Sequence, residues 1–248
     1  GDYEINSKIT LHQPTLGEIS DYGEKEYFGL VRSICSTPAD HKVDIYENLG
    51  IYWDAVDEFE LFVQLSFAFR ESDMSILFGD LDWTSFVPAI NPNTKEIVLL
   101  NKDGVVIDRA IHFLITDALR KMHCFEKNVD IGYDEFTKDA MIEDEKDERE
   151  LAARKPYSSF LLPLISSMVN SPGFKYDINS LKSLGIYAFL DSVQRIQAIN
   201  TAASISAGMY SGMVDMSKNP NLLKQLNWLR DLSNEYSSSS NVRVTKTE

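Results

Sequence analysis

The sequence predicts a mainly α-helical α+β protein, with a helical bundle-like core and one small three-stranded antiparallel β-meander. Three observations predict it. Helix-start chemistry recurs through the first half. β-prone runs separated by turn residues are confined to about residues 85–107. The second half then returns to helical periodicity throughout.

The elements follow in order. In "QPTLGEI", Thr15 and Glu18 have capping-box spacing, and Leu16, Ile19, Tyr27, Leu30, Val31 and Ile34 then recur at helical intervals. "STPADHKVDIYENLG" offers Thr37 as N-cap, Pro38 in the first turn and Gly50 at the stop. "DEFELFVQLSFAF" repeats the capping arrangement with Asp57 and Glu60. Its apolar residues wrap most of the circumference, which predicts a helix central to the core. Strands are expected near Phe86–Ile90, Glu96–Leu100 and Val105–Ile107, separated by Asn91-Pro92-Asn93 and by Lys102-Asp103-Gly104. Asp108 caps the next helix, whose expected buried face is Ile111, Leu114, Ile115, Ala118 and Leu119.

A densely charged run follows. Glu145 precedes Arg149 by four and Glu150 precedes Arg154 by four, the favourable orientation for helical ion pairs. The expected organisation is an N-terminal helical domain over 1–138, a charged connecting helix over 139–155, a C-terminal helical region over 156–233 and a polar tail over 234–248. Val242 and Val244 alternate in that tail like an edge strand.

Composition narrows the function. Of 248 residues, 44% are hydrophobic and 25% charged, an ordinary globular mixture. Net charge is −14, from 38 acidic against 24 basic residues, and no local basic patch offsets it, so nucleic acid is not an expected partner. The opening decapeptide lacks a signal-peptide apolar block. The two long uncharged runs, residues 157–174 and 196–214, are too polar or too broken by proline to span a membrane and read as buried helices. Cys35 and Cys124, far apart in sequence, fit a reducing compartment, with a single disulfide left open.

No catalytic residue, cofactor site or metal site is expected. G-x-S-x-G, a phosphate-binding glycine loop and a dinucleotide fingerprint are all missing from the sequence. His112 and His123 share a helix but lie about 16 Å apart along its axis, too far for one ion. His12 and His41 sit in separate segments. Asp80 and Asp82 in "FGDLDW" lack the further oxygens of a calcium loop and read as turn formers. The candidate interaction residues are in the C-terminal half. Tyr187, Asp191 and Arg195 fall on one stripe of "LGIYAFLDSVQRIQAIN", beside the core face of Ile186, Phe189, Leu190, Val193 and Ile196, and Asp191–Arg195 is an expected ion pair. Gly208 and Gly212 sit four apart in "SAGMYSGM", where tight intrachain packing or a helix end is the plainer reading and an oligomer contact the sharper one.

The stretches "ITLHQPTLGEISDYGEKEYFGLVRSICSTPADHKVDIYENLGIYWDAVDEFELF", "ILFGDLDWTSF", "INPNTKEIVLL", "IYAFLDSVQRIQAI" and "LKQLNWL" together resemble a protein of Firmicute prophages and tailed phages assigned to tail morphogenesis, in the manner of a tail assembly chaperone. The resemblance implies a non-enzymatic role in the bacterial cytoplasm: binding a tail-tube or tape-measure protein during assembly, with homo-oligomers open. This chain is longer than the small helical chaperones of that role, and the resemblance supplies no catalytic residues. The alternatives are a virion structural component of tail or connector, and a metal-dependent hydrolase using Asp80, Asp82 and His123.

Overall fold

Gly23 divides what reads in sequence as one N-terminal helical run. In the computed structural model, which describes residues 2–212 and 220–232, Gly23 has φ 105°, a conformation that a side chain rarely tolerates. The run therefore splits into α1 (Leu16–Tyr22) and α2 (Glu24–Cys35), and α2 buries Tyr27, Leu30, Val31, Ile34 and Cys35. Ahead of them lies a hairpin not expected from sequence, β1 (Tyr3–Asn6) paired antiparallel with β2 (Ile9–Leu11). The Asn6 side-chain oxygen accepts from the backbone N–H of Lys8 (2.8 Å) and Ile9 (2.9 Å), closing the turn, while Ile9 and Leu11 point inward.

Among the described residues, 2–14, 18–120 and 127–159 form one compact unit; 15–17, 121–126, 160–212 and 220–232 form another. In the first unit, Thr37 and Asp40 make a capping box over the 3₁₀ turn Pro38–His41. This leads into α3 (Lys42–Leu49), ended by Gly50 in the left-handed conformation. Asp57 accepts from the Glu60 N–H at 3.0 Å and starts α4 (Glu58–Phe69). That helix is less central than its composition suggests. Phe59, Phe62, Val63 and Phe69 are buried, but Phe67 is exposed with the Arg70 guanidinium over its ring.

After the short α5 (Ser75–Phe78) comes the meander: β3 (Val87–Ile90), β4 (Ile97–Leu100) and β5 (Val106–Ile107), in the order β3-β4-β5, antiparallel throughout. The expected mainly helical fold with this sheet is the one observed. Its turns are held as their residues imply. Asn91 Oδ1 accepts from the Asn93 N–H, and Asn101 Oδ1 accepts from the Asp103 and Val105 N–H groups.

Asp108 caps α6 (Arg109–His123) through the Ile111 N–H at 2.9 Å. The buried face of α6 is turned from the expected one. Ile115, Ala118 and Leu119 are inside, whereas Leu114 is exposed and the polar residues His112, Thr116 and Arg120 are buried. Long-range partners for Arg120, described below, outweigh the apolar pattern.

The charged run is α7 (Glu135–Ala153), begun by Asp134, whose side chain accepts from the Thr137 N–H. Expected as a connector starting at 139, it belongs instead to the first unit. Ile142, 1% exposed, is sealed among Ala39, Val43, Ile45 and Trp53. The two expected ion pairs form: Arg149 Nε to Glu145 at 3.1 Å and Arg154 to Glu150 at 2.6 Å.

The second unit contains α8 (Leu161–Val169), α9 (Ile186–Tyr210) and α10 (Pro220–Leu226). A bridge between Thr15 and Gly185 and the Leu16 N–H donating to the Leu184 carbonyl at 2.9 Å close it. Gly17 is required there, since a Cβ would lie 2.9 Å from the Lys182 carbonyl oxygen. The run over 157–174, expected as a buried helix, buries only Leu161 and Met168 of α8 and leaves Leu162 in solvent. The two helical signals of 184–210 are one continuous helix of 25 residues. No described helix is long and apolar enough to cross a membrane. Val242 and Val244 lie outside the described residues.

The seal around Ile142 generates a prediction. Ile142→Ala leaves a cavity beneath α7 and is expected to cost about 2–4 kcal/mol in urea unfolding, while Leu151→Ala, at an exposed position of the same helix, changes little. Equal effects at the two positions would show that α7 is not packed as described.

Candidate interaction surface

The segment between α6 and α7 carries an unusual local composition, and its backbone is tied down. Lys127 pairs with the Glu58 carboxylate at the start of α4. The Asn128 amide donates to Asp40 at 2.8 Å. Asp130 is held twice: its carboxylate accepts from the buried Lys42 ammonium at 2.7 Å, and its carbonyl accepts from the Trp53 indole N–H at 3.0 Å. Asp134, capping α7, closes the far end, and the Thr137 hydroxyl and N–H hold its carboxyl below the usual carboxylate range.

Between and beside these anchors the apolar side chains face water. Val129 is 65% exposed, Ile131 68%, Tyr133 91% and Phe136 84%. Four large apolar groups within eight residues, exposed to this degree on an anchored backbone, are the marks of a contact surface. Asp134 and Glu135 lie among them and Glu126 just before. Sequence reasoning passed over this surface. "NVDIGYDEF" has the apolar content of a strand, and only the tertiary anchors turn its side chains outward.

The candidate residues of α9 do not converge. Tyr187 is exposed and Asp191 half-buried. Arg195 turns away from the expected pair with Asp191 and donates to the carbonyls of Trp228 (2.5 Å) and Arg230 (3.0 Å), anchoring the segment after α10. A backbone carbonyl pair beyond a helix end offers a guanidinium two fixed acceptors, where an exposed i,i+4 carboxylate contributes only a few tenths of a kcal/mol. Gly208 lies in the last turn of α9, its carbonyl accepting from the Ser211 hydroxyl, and Gly212 follows the helix with φ 75° and open space around it. These two glycines mark a helix end.

Of the groups of the hydrolase alternative, one aspartate is already engaged. Asp82 caps the 3₁₀ turn Trp83–Ser85 through Thr84 and pairs with Lys102 at 2.6 Å, and Lys102 with Thr84 holds its carboxyl far below the usual range. Asp80 and Asp82 both border an open cavity of about 500 Å³, with Lys8, Thr10 and Asp103. His123 belongs to the other unit. Among the described residues no cluster of three His, Cys, Asp or Glu is placed to hold a metal ion. Neither cysteine is in a disulfide, and burial pushes the Cys35 thiol up to about 12, out of the range of a nucleophile. His12, expected to stand alone, sits between Asp2 (2.9 Å) and Glu18 (3.3 Å).

His112 packs against the rings of both Phe59 and Phe62, and burial pushes its pKa down to about 4. The neutral ring is therefore the folded form, whereas the unfolded chain takes up a proton near pH 6.5. Its contribution to stability is full above that pH and is lost as pH falls from 6.5 towards 4, by up to about 3 kcal/mol. Urea unfolding across this window is expected to show wild type losing its margin over His112→Gln as pH falls. A margin independent of pH would refute the assignment.

Compared with protein-family models, with curated proteins and with solved structures, the chain matches none.

Proposed function

We propose that this chain acts by binding other proteins and not by catalysis, in the setting that its resemblance implies: assembly of a phage tail, as a chaperone-like partner of a tail-tube or tape-measure protein. The observation that supports this reading is the anchored loop and the first turn of α7, with Val129, Ile131, Tyr133 and Phe136 in solvent. Keeping such side chains exposed forfeits roughly 1.5–3 kcal/mol for each fully buried residue, which a partner's cleft would recover. Anchoring also means that little backbone order remains to be gained on binding. Asp134 and Glu135 among these side chains, on a chain of net charge −14, define the complement: an apolar cleft rimmed by lysine or arginine.

The triple variant Ile131→Ser, Tyr133→Ser, Phe136→Ser removes exposed groups only and is expected to leave the unfolding midpoint nearly unchanged. In affinity capture from phage-producing cells, the wild-type chain is expected to retain a tail-tube or tape-measure protein, and the variant to lose at least about tenfold of it. Equal capture by both, or capture of no phage protein, would overturn the proposal. Proteomics of purified virions separates the transient from the permanent role: abundance in mature particles would favour the virion component over the chaperone.

A further inference from the structure

Residues 125–132, between α6 and α7, contain no helix, strand, turn or bend, and φ stays negative along them, so the chain runs extended. Burial alternates with the two-residue period of such a chain. Asn128, Asp130 and Gly132 are half-buried, while Val129, Ile131 and Tyr133 are exposed. The usual strand pattern is inverted, with polar residues inside and apolar ones outside. Asp130 is turned inward by Lys42 and Trp53, and the stem of Lys138 lies where a side chain at Gly132 would have to go.

The backbone of this segment is as informative as its side chains. In an extended chain the N–H and C=O of one residue point to the same edge, and those of the next residue point to the other. Asp130 commits both of its groups to the protein: its N–H donates to Asn128 Oδ1 at 3.3 Å and its carbonyl accepts from the Trp53 indole. Val129 and Ile131 therefore present theirs on the opposite edge. Among the described residues, nothing pairs with the backbone of Val129, Ile131, Gly132 or Tyr133. An edge of this kind invites strand pairing, and proteins commonly block it with proline or lysine. β3, the outer strand of the meander, carries Pro88, which has no N–H to offer. Residues 128–132 carry no proline and no lysine, and their one charge, Asp130, faces inward.

We infer that the partner is held by strand pairing: an extended segment of it lies along residues 128–132 and exchanges backbone hydrogen bonds with Val129 and Ile131. Its alternate apolar side chains pack against the outward row of Val129, Ile131 and Tyr133. The inference rests on the contact proposed above and specifies its mode. Open N–H and C=O groups select a partner that presents its own backbone at an open strand edge. A helix cannot answer them, because its backbone groups are engaged within it. A second copy is a poor occupant. Pairing here would join chains of net charge −14, and Lys127, the only cation of residues 126–135, is held by Glu58 and cannot answer Asp134 and Glu135. A strand bearing lysine or arginine answers them.

A capped peptide of alternating lysine and valine, cationic on one face and apolar on the other, tests the mode on the full chain by amide NMR. Before addition, the amide hydrogens of Val129 and Ile131 are expected to exchange as fast as those of an unfolded chain, and on binding to become protected. The same peptide with its pairing-edge amides N-methylated keeps every side chain and is expected to bind at least about tenfold more weakly. Ile131→Pro removes one outward N–H and keeps an apolar side chain. It is expected to weaken the unmodified peptide to a similar degree with the unfolding midpoint retained, while Ile131→Val binds as wild type does. Equal binding of the two peptides would overturn the inference, as would protected amides in the free chain or no binding of either peptide. So would pairing of two copies through this segment, read as a doubled mass that Ile131→Pro abolishes. If capture of a tail protein is lost in the triple variant but survives in Ile131→Pro, the contact stands and its strand pairing fails. If the peptides behave as expected and no phage protein is captured, the proposed setting fails and the strand pairing stands.

Discussion

A buried guanidinium organises the first unit. Arg120, 8% exposed on α6, donates to the Cys35 carbonyl at the end of α2 (2.7 Å) and to the Glu58 carboxylate at the start of α4 (3.2 Å), so one side chain ties three helices. A charge taken out of water is tolerated only with partners of this quality, and removing one partner from such a buried pair typically costs about 3–5 kcal/mol. The same Glu58 then holds Lys127, where the apolar loop begins. The position of the loop is therefore set from the core outward, through Arg120 and Glu58 on one side and through Lys42, Trp53 and Asp130 on the other.

These ties also explain which parts of the structure could be read in the chain and which could not. Caps and turns were legible because they are local. Asp57, Asp108 and Asn91 each meet a backbone N–H two or three residues away, and nothing distant decides whether they do. The meander was legible within a residue or so at each strand because its turns were. The N-terminal hairpin was not, since β1 has four residues and β2 three, too few for an alternation to stand out. The buried face of α6 was misplaced because hydrophobic periodicity assigns Arg120 and His112 to water, and only α2 and α4 supply the groups that bring them inside.

The same contrast runs through the candidate surfaces. Ile131 and Ile142 are the same residue type eleven positions apart in an acidic stretch, yet one is in solvent and the other is sealed. Composition cannot separate them, because the difference lies in what α3 and Trp53 place opposite each. In α9, Tyr187, Asp191 and Arg195 attract attention in sequence as polar residues on one stripe, and the structure gives them separate surroundings. The interest of Arg195 turned out to be architectural: a cation closing two carbonyls.

If the loop binds as proposed, the fastening of Asp130 also bears on how quickly a partner would be caught and how long it would stay. A strand of chain that must first be arranged imposes a search on every collision and slows capture. Here the indole and the lysine have carried out that arrangement in advance, so an encounter has only orientation to find. Differences between competing partners would then emerge in dwell time and not in the rate of capture.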